Sequence, residues 1–83
     1  MALLRKTYNT TEGTNIVSTE LVYIKKIHWI SRSDKVYSVY EYDLSGFIPE
    51  PRDLDVFHDN ASGQLLFRTN FTNGEKINVV YEV

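Results

Sequence analysis

Apolar and polar residues alternate most regularly at the end of the chain, over residues 65–83. Leu65, Phe67, Thr69 and Phe71 recur at every second position, as do Ile77, Val79, Tyr81 and Val83, and Asn73-Gly74 lies between the two runs. Two period-two runs around Asn-Gly predict an antiparallel hairpin. Directly opposed residues of such a pair share a face. A two-residue loop would set Phe71 against Lys76 and Phe67 against Val80. A slip of one residue sets Phe71 against Ile77, Thr69 against Val79, Phe67 against Tyr81 and Leu65 against Val83. The slip moves a whole apolar row between core and solvent, so burial selects it. The expectation is an odd-length loop around Asn73-Gly74-Glu75, or a bulge beside it, with Gly74 at positive φ.

Residues 16–31 are crowded with Val and Ile and read as one long strand. Leu21, Ile24, Ile27 and Ile30 also recur at three-residue spacing, which makes a helix the alternative. Ser33-Asp34 then predicts a turn and 36–44 a second strand. Pairing across that turn opposes Trp29 with Ser38, Ile27 with Tyr40, Lys25 with Tyr42 and Tyr23 with Leu44. This row is expected to face the core. The other row, Ile30–Tyr37, His28–Val39 and Lys26–Glu41, is expected to be half exposed, and its last pair is opposite in charge. Pro49 and Pro51 cannot donate to a central ladder, so 45–51 reads as a loop or an edge. Residues 52–59 fit either one or two helical turns burying Leu54 and Phe57 or a short strand burying Leu54 and Val56. Residues 1–15 carry no sustained period and read as a loosely ordered arm with room for a short strand at 3–8.

These elements predict an all-β chain: a small antiparallel sheet, a partly open barrel or a compact sandwich of four to five strands, with one short helical turn near 52–59 as the exception. Eighty-three residues make a single domain, 1–83, and hydrophobic residues at 42% support a core rather than disorder. Cysteine is absent, which excludes disulfides, thiolate metal sites and thiol catalysis and favours a reducing, cytoplasmic setting. No run resembles a leader peptide or a membrane-crossing helix, so no membrane role is expected. Three sequons (Asn9-Thr10-Thr11, Asn60-Ala61-Ser62 and Asn70-Phe71-Thr72) match what chance gives in a chain rich in Asn, Ser and Thr.

The net charge of −2 hides an asymmetry. Residues 1–40 hold six Lys/Arg against three Asp/Glu, and residues 41–83 hold three against eight. A compact sheet is expected to interleave the halves and neutralise them. His28 and His58 lack a third partner at zinc spacing. Asp53 to Asn60 is rich in oxygen ligands, but Phe57 and His58 stand where a calcium loop needs an oxygen and a glycine, so no metal or other cofactor is expected. The chain has no nucleophile elbow, phosphate loop or dinucleotide turn, and an enzyme is not expected.

The sequence therefore points to a non-enzymatic interaction module: an adaptor, inhibitor or assembly subunit. It would bind a protein partner or a second copy through a semi-apolar sheet face or an edge strand. Lys26, His28, Ile30, Arg32, Tyr37 and Val39 are the residues expected to carry that contact. The alternative is a single-stranded nucleic-acid-binding barrel using Lys25, Lys26, His28, Trp29, Arg32, Lys35 and Tyr37, where cations would track phosphates and rings would stack on bases. Parity divides that window between faces, and Glu41 and Asp43 oppose phosphate, so nucleic acid is the less favoured partner.

Overall fold

A computed structural model describes residues 2–83. Seven strands follow one another: β1 (Leu4–Asn9), β2 (Ile16–Ser18), β3 (Lys26–Arg32), β4 (Lys35–Glu41), β5 (Asp55–His58), β6 (Gln64–Leu66) and β7 (Lys76–Glu82). No helix occurs among the described residues, so the all-β expectation holds with more strands than four or five. They form one sheet in the order β1-β7-β3-β4-β5-β6-β2. β1 and β2 are joined by a short connection yet stand at opposite ends of that order, so the sheet must curl to bring them together. Lys6 Nζ (2.6 Å) and Tyr8 Oη (2.7 Å) on β1 both donate to Glu20 Oε1, just beyond β2, and the result is a nearly closed barrel. One pairing, β4 with β5, is parallel. Parallel neighbours need a long crossover, and the proline-bearing segment 42–54 supplies it.

The β3–β4 hairpin has the expected register, with Ile30 opposite Tyr37 and Arg32 opposite Lys35. Ser33 (φ 50°) and Asp34 (φ 62°) are both left-handed, the type I′ geometry that matches strand twist. The faces, however, are not those of a flat alternation. On the β7 side, Ile27 opposes Tyr81 and Trp29 opposes Val80, so His28 is an extra, unpaired residue. This bulge resets the parity. Ile27 and Ile30 both turn inward, while Trp29 is 38% exposed. The three-residue spacing that imitated a helix is the trace of the bulge. Of the row expected to be half exposed, the part beyond the bulge is thus the inner one: Ile30 is fully enclosed, and Tyr37 and Val39 pack against the core, while Lys26 and His28 stay outside.

Three further expectations are corrected. The terminal hairpin does not form: β6 pairs with β5 and β2, and β7 pairs with β1 and β3. Residues 67–71 leave the ladder and bond to the 13–15 segment instead, through Phe67 N to Asn15 O and Phe71 N to Thr14 O. At the Asn-Gly turn only Gly74 has positive φ (77°), and Glu75 N bonds to Thr72 O at 3.1 Å. That is the type II pattern, which splays flanking strands rather than folding one onto the other. Phe67 and Tyr81 are therefore not cross-strand partners, though both reach the same core.

The long strand 16–31 is interrupted after Ser18. Thr19 packs onto Gly63 so closely that a Cβ there would lie 2.1 Å from the Thr19 carbonyl oxygen. Residues 52–59 take the strand alternative and bury Val56, but Leu54 is 45% exposed. The amino-terminal segment carries β1 and is tied to the barrel by Thr10 Oγ1 to Glu75 O and Gly13 N to Phe71 O. A single core cluster of Val17, Leu21, Ile27, Ile30, Val56, Leu65, Phe67, Phe71, Ile77 and Val79 fills the interior. Burial of each such side chain contributes about 1.5–3 kcal/mol.

Candidate functional site

Arg32 and His58 are the least exposed charged or polar residues among those described, and both are structural. Arg32, the last residue of β3, points inward, and its side chain is 5% exposed. Its Nε donates to Glu75 Oε2 (2.8 Å) and its Nη2 to Glu75 Oε1 (3.2 Å). Nη1 reaches Thr69 O (3.1 Å) and Nη2 also reaches Asn70 O (2.9 Å). The guanidinium lies over Phe71 at 4.4 Å and Phe67 at 5.2 Å. Glu75 accepts Ser33 Oγ (2.6 Å) and Thr72 N (3.0 Å) as well. Hydrogen bonds from Arg32, foremost among these, hold the Glu75 carboxyl at about 2. The cation nominated for binding instead fastens the 69–75 segment to the β3–β4 turn.

His58 is wholly enclosed between β4 and the segment after β2. Its Nε2 lies 2.8 Å from Leu21 O and its Nδ1 2.6 Å from Glu41 Oε2. A carbonyl oxygen only accepts, so Nε2 carries a proton. A carboxylate behind an imidazole is the arrangement that activates a nucleophile, but the nitrogen that would face a substrate is bonded to backbone here. His28 is half buried on the outside, with Nε2 3.1 Å from Glu82 Oε1. Lys25 Nζ takes the other oxygen at 3.0 Å, and these two partners, Lys25 first, hold Glu82 below the usual carboxylate range.

An open groove of about 710 Å³ lies between the end of β4 and the 59–62 turn, lined by Glu41, Tyr42, Asp43 and Asp59 among others. Its carboxylates serve the fold. Asp43 Oδ1 accepts Ser45 Oγ (2.6 Å) and N (2.9 Å), which lowers its pKa. Asp59 accepts the Ala61 N–H (2.9 Å), which lowers its pKa, and the Leu44 N–H (3.2 Å) as well.

The outside of the barrel holds what the interior does not use. Tyr40, Phe57, Leu66 and Ile16 are directly opposed across β4, β5, β6 and β2, and their inner neighbours Val39, Val56, Leu65 and Val17 belong to or pack on the core. The first four therefore form an outward apolar row, in which Leu66 is itself buried and Phe57 partly so. Tyr40 is 52% exposed and Ile16 42%, and Tyr42 stacks on Phe57 at 4.9 Å with 13° between the planes. The 42–54 crossover is held by Arg68, which bonds to Pro51 O and Asp53, and it presents Phe47 almost bare to solvent. A second outward row, Arg5–Val80–Trp29, crosses β1, β7 and β3. Lys26 and Lys76 share that outer face, and among the described residues neither they nor Arg5 form an ion pair.

Of the residues nominated from the sequence, Lys26 lies on the outer surface and His28 lies there half buried, whereas Ile30, Arg32, Tyr37 and Val39 face inward. The missed residues are Tyr40, Tyr42 and Phe57. For Tyr40 and Tyr42 the alternation was readable, but the side was assigned from β3, whose bulge misled it; Phe57 was turned outward only by the strand alternative for 52–59. Compared with known proteins, the chain matches no family model, no curated protein and no solved structure.

Proposed function

We propose that this chain is a non-enzymatic protein-interaction module whose contact surface is the outward row around Tyr40, Tyr42 and Phe57. One observation carries the reading: aromatic side chains are lined up on the outside of a barrel whose inside is already filled. Rings so placed contribute nothing to the main core and are suited to anchoring a partner. Both interior pairs, Arg32–Glu75 and His58–Glu41, are engaged by the fold itself, which supports the non-enzymatic part. The face is preferred over the β1 edge, because Lys6 and Tyr8 already bridge that edge to Glu20 and Lys6 and Arg5 discourage strand addition there. A cysteine-free chain suits a reducing cytoplasm, which belongs to the same reading.

The test is cross-linked capture from host cytoplasm with the wild-type chain, with Tyr40→Ser/Tyr42→Ser and with a Val36→Ser control. A protein retained by wild type and control is expected to lose about thirtyfold or more in affinity with the double variant. An identical captured set for all three removes the reading. A second reading is favoured by one observation, the outward position of Trp29 beside Arg5 and Lys26: a single-stranded nucleic acid stacking on the β1–β7–β3 face. Trp29 is the sole tryptophan, so its emission reports directly. Emission unchanged by oligonucleotides at low salt eliminates this alternative.

A further inference from the structure

His58 and Glu41 stand directly opposite each other in the parallel β4–β5 register, and Leu65 of β6 stands opposite His58 on its other side. The ring is wholly enclosed, while the Glu41 side chain is 48% exposed and lines the open groove beyond β4. Both ring nitrogens meet acceptors, Nε2 the buried Leu21 carbonyl and Nδ1 the Glu41 carboxyl. A neutral imidazole carries one N–H and an ionised carboxylate carries no proton, so those two forms together cannot make both bonds. One further proton must lie between Nδ1 and Oε2, whether it belongs to the ring or to the carboxyl. No lysine or arginine bonds to either member among the described residues. The charged groups on neighbouring elements are engaged elsewhere: Glu20 after β2 by Lys6 and Tyr8, Asp59 by the Ala61 and Leu44 N–H groups, and Asp43 by Ser45. Asp55 on β5 points outward, Tyr23 is 81% exposed, Tyr42 stacks on Phe57, and β6 has no charged residue.

We infer that His58 and Glu41 form a one-proton latch in the barrel wall, and that Glu41 is the arm that releases. With the proton in place both bonds close, and the chain after β2 is tied through the ring to β4. As pH rises and the proton leaves, a lone pair on Nδ1 faces a carboxylate oxygen at bonding distance, and one of the two contacts has to open. The carboxylate is the stronger acceptor, which favours keeping the remaining proton on Nδ1. Burial decides the other way. Leu21 is 3% exposed, so water cannot replace the ring N–H at its carbonyl, and an unpaired buried carbonyl keeps its whole desolvation penalty. Glu41 already stands half in solvent, and its carboxylate exchanges the ring for water. The ring proton therefore stays on Nε2, the Leu21 bond survives, and Glu41 turns into the groove beside Tyr42, Asp43 and Asp59. The groove then holds one more uncompensated negative charge. The latch does not depend on the outer aromatic row.

Nitrogen-15 NMR of the imidazole rings, read together with the Glu41 carboxyl carbon from about pH 5 to about pH 10, tests this. His28 is the only other histidine, and His28→Gln identifies its signals. The pair is expected to lose one proton, seen at Nδ1 or at the Glu41 carboxyl, while Nε2 keeps its own throughout. The nuclear Overhauser contact between the Glu41 γ protons and the ring Hε1 is expected to be lost over the same range. Glu41→Gln removes the switch and keeps the bond: its amide donates to Nδ1, so the single Nε2 proton satisfies the ring and that form persists at every pH. If this variant does not fold, the wild-type titration decides alone. A ring that keeps the Nδ1 proton and gives up the Nε2 proton at the alkaline end overturns the inference, because Leu21 is then the side that opens. A pair that loses no proton over the range, an Overhauser contact that persists after the proton has gone, or a folded Glu41→Gln ring that titrates like the wild type overturns it as well.

Discussion

The guanidinium of Arg32 is held by two carboxylate oxygens, two backbone carbonyls and two aromatic faces, so removing it leaves the Glu75 carboxylate charged and enclosed. Arg32→Met should cost about 3–5 kcal/mol in urea unfolding, and adding Glu75→Gln should recover part of that loss. The same pair sets a pH dependence. Glu75 titrates near 2 in the folded chain, below its ordinary 4.5. Its contribution is fully present above pH 4.5 and is lost as pH falls toward 2. Glu75→Gln should flatten the acid limb of a stability-against-pH curve, and an unchanged limb would show that the carboxylate does not govern it. Gly63 and Gly13 make a second contrast. Both have positive φ, but a Cβ at Gly13 meets nothing within 4 Å, whereas at Gly63 it collides with the Thr19 carbonyl. Gly13→Ala should cost about 1–2 kcal/mol from backbone conformation alone. Gly63→Ala should exceed it clearly in thermal unfolding, because backbone must also move.

At the scale of an element, the bulge in β3 decides which side chains the strand hides. Ile30→Ala should cost about 2–5 kcal/mol. Trp29→Ser should cost no more than about 1.5 kcal/mol, because the ring is already over a third exposed. Denaturant unfolding that reversed this order would return Trp29 to the core. The β3–β4 hairpin was legible because turn and ladder are consecutive: Ser33-Asp34 chose the turn type, and the turn chose the register. The Asn73-Gly74 hairpin was not, although its sequence cue was stronger. Asn73 does not adopt positive φ, and Arg32, some forty residues away in sequence, holds the 69–75 segment in another direction. No local pattern reports such a partner.

The whole molecule is closed at a seam between β1 and residue 20. Glu20 accepts Lys6 and Tyr8, Lys6 first, and these bonds hold its carboxyl at about 2. The pair is about half solvated on both sides, and screening leaves it little weight in the stability of the whole chain. Glu20→Gln should therefore leave the unfolding midpoint nearly unchanged while speeding amide exchange in β1 relative to β3. Equal acceleration in both strands would mean that the seam supports the entire barrel. The outer row Tyr40–Phe57–Leu66–Ile16 exists only at this scale, since its members come from four strands that no single alternation connects.

Taken by itself, the order of residues determined that this chain is built of strands, where Ser33-Asp34 turns, and which side chains share a side where the alternation is unbroken, as Tyr40 and Tyr42 do on β4 and beyond it. Those properties follow from backbone sterics and a period of two, which act over a few residues. Tertiary structure decided which strands are neighbours and which side is dry. A period of two is unchanged when the faces are exchanged, and one extra residue at His28 is enough to exchange them. Only the filling of a common interior by Ile27, Ile30, Phe67 and Phe71, residues far apart in the chain, breaks that symmetry.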